Sequence, residues 1–173
     1  LEAFNLSAKD VSLQRLVHLG LGPLMKTAFD EIFRSPYIAR AMVAELDPVH
    51  AGERFYTIEA DGSFASAGGA AAVAGTRTSE EAITARLAGL DPTSLSLQEG
   101  LRRALEAWGL GALLAEREAE GEPGEEELRA FLGRAVRERR FEAALLDRTL
   151  PTRTKFRFVP ASSLEEVLAP FTS

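Results

Sequence analysis

Few residues of this sequence have the type and spacing that chemistry at a protein site requires. There is no cysteine, so thiolate nucleophiles, thiolate metal ligands and disulfides are excluded. The two histidines, His18 and His50, are too few for a histidine-rich metal site. No Gly-x-Ser-x-Gly elbow is present, which argues against Ser-His-Asp hydrolysis of that type. We expect His18 to be a packed or surface residue and His50 to be exposed in a turn.

A glycine- and alanine-rich stretch, "ASAGGAAAVAGTRTSEEA" at residues 65–82, has the composition of a loop that binds phosphate beside a helix N-terminus. Its "GGAAAVAG" part lacks the lysine of a P-loop and does not fit the Gly-x-Gly-x-x-Gly pattern of a dinucleotide site. We interpret the stretch as a strand in close packing between layers, a glycine turn at Gly75-Thr76, and a capped helix. We therefore expect no cofactor to bind there.

Neighbouring carboxylates occur twice, as Glu165 with Glu166 and as the run from Glu125 to Glu127. Both groups are predicted to lie in the first turns of helices, where the helix dipole favours negative charge without any catalytic role. Trp108 lies on an apolar helix face and is expected in the core. The residues alone therefore predict no catalytic, cofactor-binding or metal-binding residue.

The overall composition is typical of a globular domain that does not bind nucleic acid. The 173 residues include 20 basic and 26 acidic side chains, for a net charge of −6, and 46% of the residues are hydrophobic. A net negative charge with scattered basic residues argues against binding to a phosphate backbone. No apolar run approaches the roughly 20 residues of a membrane span, and no signal peptide is visible after Leu1. We expect one domain over residues 1–173, located in the cytoplasm.

The longest predicted helix covers residues 10–33, because its apolar residues recur at spacings of three and four. Gly20, Gly22 and Pro23 predict a kink or a break in its middle. The pair Ser35-Pro36 is predicted to end it, since the residue before a proline avoids the helical conformation.

Two further helices follow the glycine-rich stretch. A cap at Thr78 or Ser79 is predicted to begin the first of them. A Ser-Leu-Gln-Glu capping box, which starts at Ser96, is predicted to begin the second. Gly109 and Gly111 are predicted to end that second helix, because glycine is typical of helix C-termini.

Short strands lie between the helices and are predicted from alternating or β-branched and aromatic runs. The first has apolar residues on both faces, as a strand covered on two sides does. An Asp-Gly pair within residues 60–63 predicts a tight hairpin, and residues 47–52 a connecting turn. The predicted strands are Tyr37–Leu46, Phe55–Ile58, Phe64–Ser66, Ala70–Ala74, Phe141–Leu146 and Thr154–Val159.

Two short helices complete the pattern, one over about residues 125–136 after an acidic loop and one at Leu164–Leu168. Ser162 or Ser163 is predicted to cap the last helix. Strands that are segregated from helices and joined by hairpins indicate an α+β fold, with helices layered on antiparallel sheet.

In this order the local motifs resemble the C-terminal two-thirds of a proteasome α-type subunit, of the actinobacterial kind. The resemblance covers roughly 160 of the 173 residues. The pieces that carry it are "KDVSLQRLVHLGLGPLMKTAFDEIFRSPYIARAMVAEL", "ERFYTIEADGSF", "AAAVAGTRTSEEAI", "SLSLQEGLRRALEA" and "FEAALLDRTLPTRTKFRFVPASSLEEVL".

This resemblance implies a four-layer αββα sandwich of the N-terminal-nucleophile hydrolase superfamily. It also implies seven-membered rings of identical α-type subunits that stack on β rings and bind an ATPase activator. The β rings hold the threonine peptidase sites, and the α rings form the outer chamber and gate. The helix at residues 10–33 would then lie among the contacts between rings. The family places its first strands and first helix before the equivalent of Leu1, so we expect upstream residues that this sequence does not represent.

The peptidase chemistry of the family is not expected in this chain. Its nucleophile is a threonine at a free N-terminus, whose own amine acts as the base, and the first residue here is Leu1. In catalytic β subunits the glycine turn carries a Ser-Gly pair, whereas the matching residues here are Thr76 and Arg77. We therefore expect a non-catalytic subunit of a threonine protease complex. Two alternatives stay open: a catalytic β-type or other N-terminal-nucleophile hydrolase with its nucleophile upstream of Leu1, and a divergent homologue that acts as a binding module.

Overall fold

The computed structural model describes residues 12–31, 38–46, 53–91, 94–116, 121, 123–152 and 154–172. These residues form helices and small antiparallel sheets, so the prediction of an α+β fold is confirmed. The chain divides into two compact units, Leu1–Val73 and Ala74–Ser173. Each unit has its own hydrophobic cluster.

The first unit begins with a helical segment made of α1 (Leu13–Leu16), a π-helical turn (Val17–Leu21) and α2 (Gly22–Phe29). The predicted interruption is this π turn, in which the Gly22 N–H donates to the carbonyl of Val17. Pro23, the next residue, has no N–H to donate. The change from α-helical to π-helical hydrogen bonds just before it lets the helix continue past the proline. The helix ends at Phe29, with Asp30 as its C-cap, so the prediction that it extends to residue 33 and is ended by Ser35-Pro36 is wrong. The pair Ser35-Pro36 itself lies outside the described residues.

The same unit contains a three-stranded antiparallel sheet in the order β1 (Ala41–Leu46), β2 (Glu53–Ile58) and β3 (Phe64–Gly68). The predicted Asp-Gly hairpin is confirmed between β2 and β3, where the Glu59 N–H donates to the carbonyl of Ser63 at 2.8 Å. The predicted turn at residues 47–52 lies outside the described part of the chain.

One face of this sheet packs on the helical segment. Val17, Tyr56 and Ile58 are almost completely buried between the two. Burial along β1 alternates, so that Met42 and Ala44 on the opposite face are exposed. The prediction that both faces of this strand are covered is therefore not met by the described residues.

The predicted strand at Ala70–Ala74 is wrong, because these residues form no ladder. Gly69 has a φ of +78° and turns the chain there, and the Ala70 N–H donates to the carbonyl of Gly68 instead of to a neighbouring strand. Four of the five residues are alanine, which contributes little to cross-strand packing, and Val73 is the one β-branched residue among them.

The second unit stacks α3 (Arg77–Leu87) and α5 (Glu125–Glu138) on α4 (Leu97–Glu116). The capping box at the start of α4 is confirmed, with Ser96 and Glu99 each accepting the other's backbone N–H at 3.3 Å. The predicted end of this helix is wrong, since Gly109 and Gly111 lie inside it and are buried. Tertiary packing needs the small residue at both positions, and this outweighs the preference of glycine for helix ends.

The chain closes with a hairpin of β4 (Ala144–Leu146) and β5 (Phe156–Phe158), then α6 (Ala161–Leu168) and a 3₁₀ turn (Ala169–Phe171). Both strands are shorter than predicted. α6 begins before the predicted caps, after Pro160, and no side chain caps it. Glu165 and Glu166 therefore lie beyond its first turn, and the helix-dipole explanation for them is wrong.

Candidate functional site

The turn before α3 lies where the resemblance places the serine of catalytic relatives. Thr76 is the N-cap of the helix, and Ser79 in the first turn of the helix is completely buried. Thr76 Oγ1 accepts the Ser79 N–H at 3.1 Å and lies 2.8 Å from Ser79 Oγ. The predicted cap at Thr78 or Ser79 is therefore wrong by two or three residues.

The other polar groups of this turn also bond locally. The carboxylate of Glu80 accepts the N–H of Ala74 at 2.9 Å, which ties the residues before the turn to the helix. Arg77 forms an ion pair with Glu81 at 2.9 Å, and its side chain is 91% exposed. The two hydroxyl groups therefore satisfy each other, and none of these contacts supplies the base that nucleophilic catalysis requires.

The glycine-rich stretch before this turn does not bring backbones close together. A β-carbon at Gly68, Gly69 or Gly75 would have no atom within 4 Å. The interpretation of this stretch as close packing between layers is therefore wrong for the described residues. A close approach occurs instead at Gly62, where a β-carbon would overlap the carbonyl oxygen of Gly22.

The remaining residues that the sequence singled out occupy structural positions. His18 is exposed and its ring lies 4.3 Å from that of Phe64, while His50 lies outside the described residues. Trp108 is half-buried and makes an edge contact with Phe141 at 5.0 Å, with the Arg139 guanidinium over its face. Within the described ranges no group of three or more acidic or histidine side chains is placed to hold a metal ion.

What stands out instead is exposed apolar surface. On the helical segment of the first unit, Leu24 is 66% exposed, and in the C-terminal hairpin Phe158 is 71% exposed. Isolated apolar residues at a surface are normal, but aligned ones mark surfaces that contact other chains or layers. Further exposed apolar side chains are Leu16, Leu19 and Phe29 on the helical segment, Phe156 in the hairpin, and Met42 on β1.

Residues of the hairpin show how such a face arises. Ala144 lies opposite Phe158 and Leu146 opposite Phe156, so these four side chains share one face of β4 and β5. The two phenylalanine rings make an edge contact at 5.1 Å. Alternation in the sequence predicts that Phe156 and Phe158 share a face, but it does not say whether that face is covered.

Comparison with known proteins points to one class, the proteasome α subunits. The chain is 26% identical over 168 residues to the proteasome subunit alpha of Streptomyces scabiei and, at the same identity, to that of Streptomyces avermitilis. Each match covers 97% of this chain but only 59% and 58% of the respective relative. No family model and no solved structure matches the chain.

The resemblance that the sequence motifs carry, to proteasome α-type subunits, is thereby confirmed. The chain spans about three-fifths of the length of these relatives. Among the residues that the structure describes, no helix combines the length and the apolar character needed to cross a membrane.

Proposed function

We propose that this chain is a non-catalytic α-type ring subunit of a proteasome-like protein-degradation complex. It would form the outer chamber and gate by assembling with identical subunits, in a ring of seven, and by stacking on β-type rings. The observation that carries the proposal is the match to two proteasome α subunits along 97% of the chain.

The uncovered sheet faces support the four-layer αββα sandwich that this function requires. Met42 and Ala44 of β1 expose one face of the first sheet, and Phe156 and Phe158 expose one face of the C-terminal hairpin. Stacked sheets bury such faces against another layer about 10 Å away. Since the relatives are longer than this chain, we propose that residues outside the given sequence complete these layers.

The turn before α3 supports the non-catalytic assignment. Catalytic members of the resembled family use a hydroxyl group at this position to hydrogen-bond the active site, whereas here Thr76 caps the helix and bonds to Ser79. Releasing the Thr76 hydroxyl would cost the helix its cap, which contributes about 1 kcal/mol. The chain would therefore provide structure and access control, and the β-type partners would provide hydrolysis.

The helical segment of the first unit is the proposed contact between rings. Val17 on this segment packs against the sheet of the same unit. Leu16, Leu19 and Leu24 on the segment are exposed. Leucine side chains on a helix contribute to protein interfaces when they are buried on association. An ATPase activator is the proposed partner on the opposite side of the ring, and the cytoplasm is the proposed location.

The test is the mass of the assembly in solution. The full-length protein, purified alone and with a co-expressed β-type subunit, is examined by native mass spectrometry and by hydrolysis of fluorogenic peptides. We expect a heptamer or larger, with hydrolysis only when the β-type subunit is present. A monomer at micromolar concentration, or hydrolysis by the α-type chain alone, would contradict the proposal.

A further inference from the structure

The second unit carries three arginines that differ from its other described arginines. Arg77, Arg86, Arg134, Arg139, Arg140 and Arg157 each lie within ion-pair distance of a carboxylate. Arg103 pairs with Glu106, and Arg148 has a partner as well. Arg102, Arg129 and Arg137 form no ion pair and no hydrogen bond with the described part of the chain.

All three line the same surface feature, which we call the arginine groove. It consists of two adjoining cavities of about 380 and 490 Å³, which share Arg129 and Phe171 in their walls. Arg102 of α4 lines the first cavity and Arg137 of α5 the second. Arg129 and Arg137 are eight residues apart on one helix, which corresponds to about 12 Å along its axis. The groove is therefore long enough for several residues of an extended peptide.

The carboxylates beside the groove do not neutralise these cations. Glu106 and Glu125 also line the first cavity, but Glu106 pairs with Arg103 at 3.4 Å and Glu125 with Arg86 at 3.1 Å. The charge of Arg102 does act on Glu99, whose pKa is lowered mainly by hydrogen bonds from Ser96. Of the carboxylates that line the two cavities, this leaves only Glu126 without a partner in the described part of the chain, against three unpaired guanidinium groups.

The walls of the groove also include apolar side chains. Leu128 and Leu132 of α5 line the first cavity, and Phe171 borders both cavities. A guanidinium group binds a carboxylate through paired N–H donors, and a neighbouring apolar wall favours a ligand that also carries apolar side chains. The whole chain has a net charge of −6, which disfavours a long polyanion such as nucleic acid.

From this charge complementarity we propose that the arginine groove is a docking site for an acidic peptide segment that also carries apolar residues. Its carboxylates pair with Arg102, Arg129 and Arg137, and its apolar side chains contact Leu128 and Phe171. The site does not depend on ring assembly, because α4, α5 and the 3₁₀ turn Ala169–Phe171 of one chain form it.

The test uses fluorescence anisotropy of the full chain with two labelled probes, a short peptide of alternating glutamate and leucine and one of alternating lysine and leucine. One variant combines Arg102→Gln, Arg129→Gln and Arg137→Gln. Its matched control combines Arg77→Gln, Arg140→Gln and Arg148→Gln, which removes the same charge from exposed residues outside the groove.

We expect the acidic probe to bind the unchanged chain and the lysine probe not to bind. Exposed ion pairs are individually weak, so the groove variant should raise the Kd about tenfold and the control less than about threefold. Glu126→Gln removes the unpaired carboxylate that would repel an acidic ligand, so it should lower the Kd of the acidic probe. Misfolding cannot produce tighter binding, so this variant gives a second, independent measurement. Equal losses in both triple variants, no binding of the acidic probe, or tighter binding of a single-stranded oligonucleotide would overturn the proposal.

Discussion

Gly111 of α4 lies directly against Ile83 of α3, so that a β-carbon at residue 111 would be 2.5 Å from the Ile83 side chain and 3.0 Å from the carbonyl oxygen of Ser79. The two helices therefore approach as closely as backbone and side chain allow. The same helix shows the relationship a second time, since a β-carbon at Gly109 would lie 2.5 Å from Leu132 of α5. These contacts explain why two glycines are compatible with a helix interior that they would otherwise weaken.

Gly111→Ala is expected to destabilise the second unit by about 1–3 kcal/mol, because the added methyl group overpacks the contact with Ile83. Gly100→Ala in the same helix is the matched control, since a β-carbon there meets no atom within 4 Å. The control should stabilise the protein by about 0.5–1 kcal/mol through helix propensity. Urea unfolding measures both, and a neutral or stabilising effect of Gly111→Ala would contradict the close approach.

Gly62→Ala is expected to destabilise the first unit for two reasons. Gly62 has a φ of +80°, and its β-carbon would overlap the carbonyl oxygen of Gly22 and lie 2.7 Å from Lys26 Cβ. Gly69→Ala separates the two causes, because Gly69 has a φ of +78° but open space around it. The Gly69 variant should lose about 1–2 kcal/mol and the Gly62 variant at least about 1 kcal/mol more. Equal losses in thermal unfolding would mean that the contact with Gly22 does not matter.

Thr76→Ala is expected to cost about 1 kcal/mol of unfolding free energy, since Thr76 Oγ1 caps α3 by accepting the Ser79 N–H. Thr76→Ser keeps a hydroxyl group at the same position and should retain most of that stability. Chemical denaturation of both variants measures the difference. If serine and alanine were equally destabilising, the capping bond would not be what the hydroxyl contributes.

Asp147→Asn tests the pH dependence of stability. The Asp147 carboxylate accepts hydrogen bonds from the Thr149 hydroxyl at 2.6 Å and from the Thr149 N–H at 2.9 Å, and these bonds lower its pKa. A carboxyl group whose pKa is lowered on folding stabilises the protein above its unfolded pKa and loses that contribution as the pH falls through its folded pKa. The variant should therefore be less stable than the unchanged chain at pH 7.

The difference between the two proteins should shrink as the pH falls below about 4, the ordinary range of an aspartate. Urea midpoints measured from pH 7 down to pH 3 follow this change. Glu166→Gln removes the same charge from an exposed residue beyond the first turn of α6 and serves as the control. The stability difference between Asp147→Asn and the unchanged chain could instead stay constant with pH. That result would contradict the prediction that these hydrogen bonds stabilise the charged form of the carboxyl group.

Leu19→Ser combined with Leu24→Ser tests the proposed contact between rings. The two side chains are 55% and 66% exposed, so their loss should change the stability of the isolated subunit little. If the helix is buried on assembly, the variant should form fewer complete assemblies in native mass spectrometry. Gln14→Ser with Thr27→Ser replaces exposed residues of the same helical segment and is the matched control. Undiminished assembly of the leucine variant would remove this helix from the interface.

Much of the local structure could be predicted because it depends on neighbours in sequence. The Asp-Gly hairpin is confirmed since Gly62 supplies the positive φ, and the capping box is confirmed since Ser96 and Glu99 bond to each other. The predicted strand at Ala70–Ala74 failed because a strand needs a hydrogen-bonded neighbour, and a short apolar run does not show whether one is present. The resemblance located the candidate turn correctly. The N-cap of α3 was predicted two or three residues too late, because several neighbouring hydroxyl residues could cap the helix and only the structure shows that it begins after Thr76.

The sequence by itself determined the α+β class, the absence of cysteine chemistry and the resemblance to proteasome α-type subunits, because composition, periodicity and local motifs are properties of the chain. Only the tertiary structure decided that Gly109 and Gly111 lie inside a helix, because Leu132 and Ile83 on other helices leave no room for a β-carbon at these two positions. It also decided which arginines are paired, because the partners of Arg86 and Arg134 are distant in sequence. Contacts between distant residues depend on packing, which no local pattern encodes.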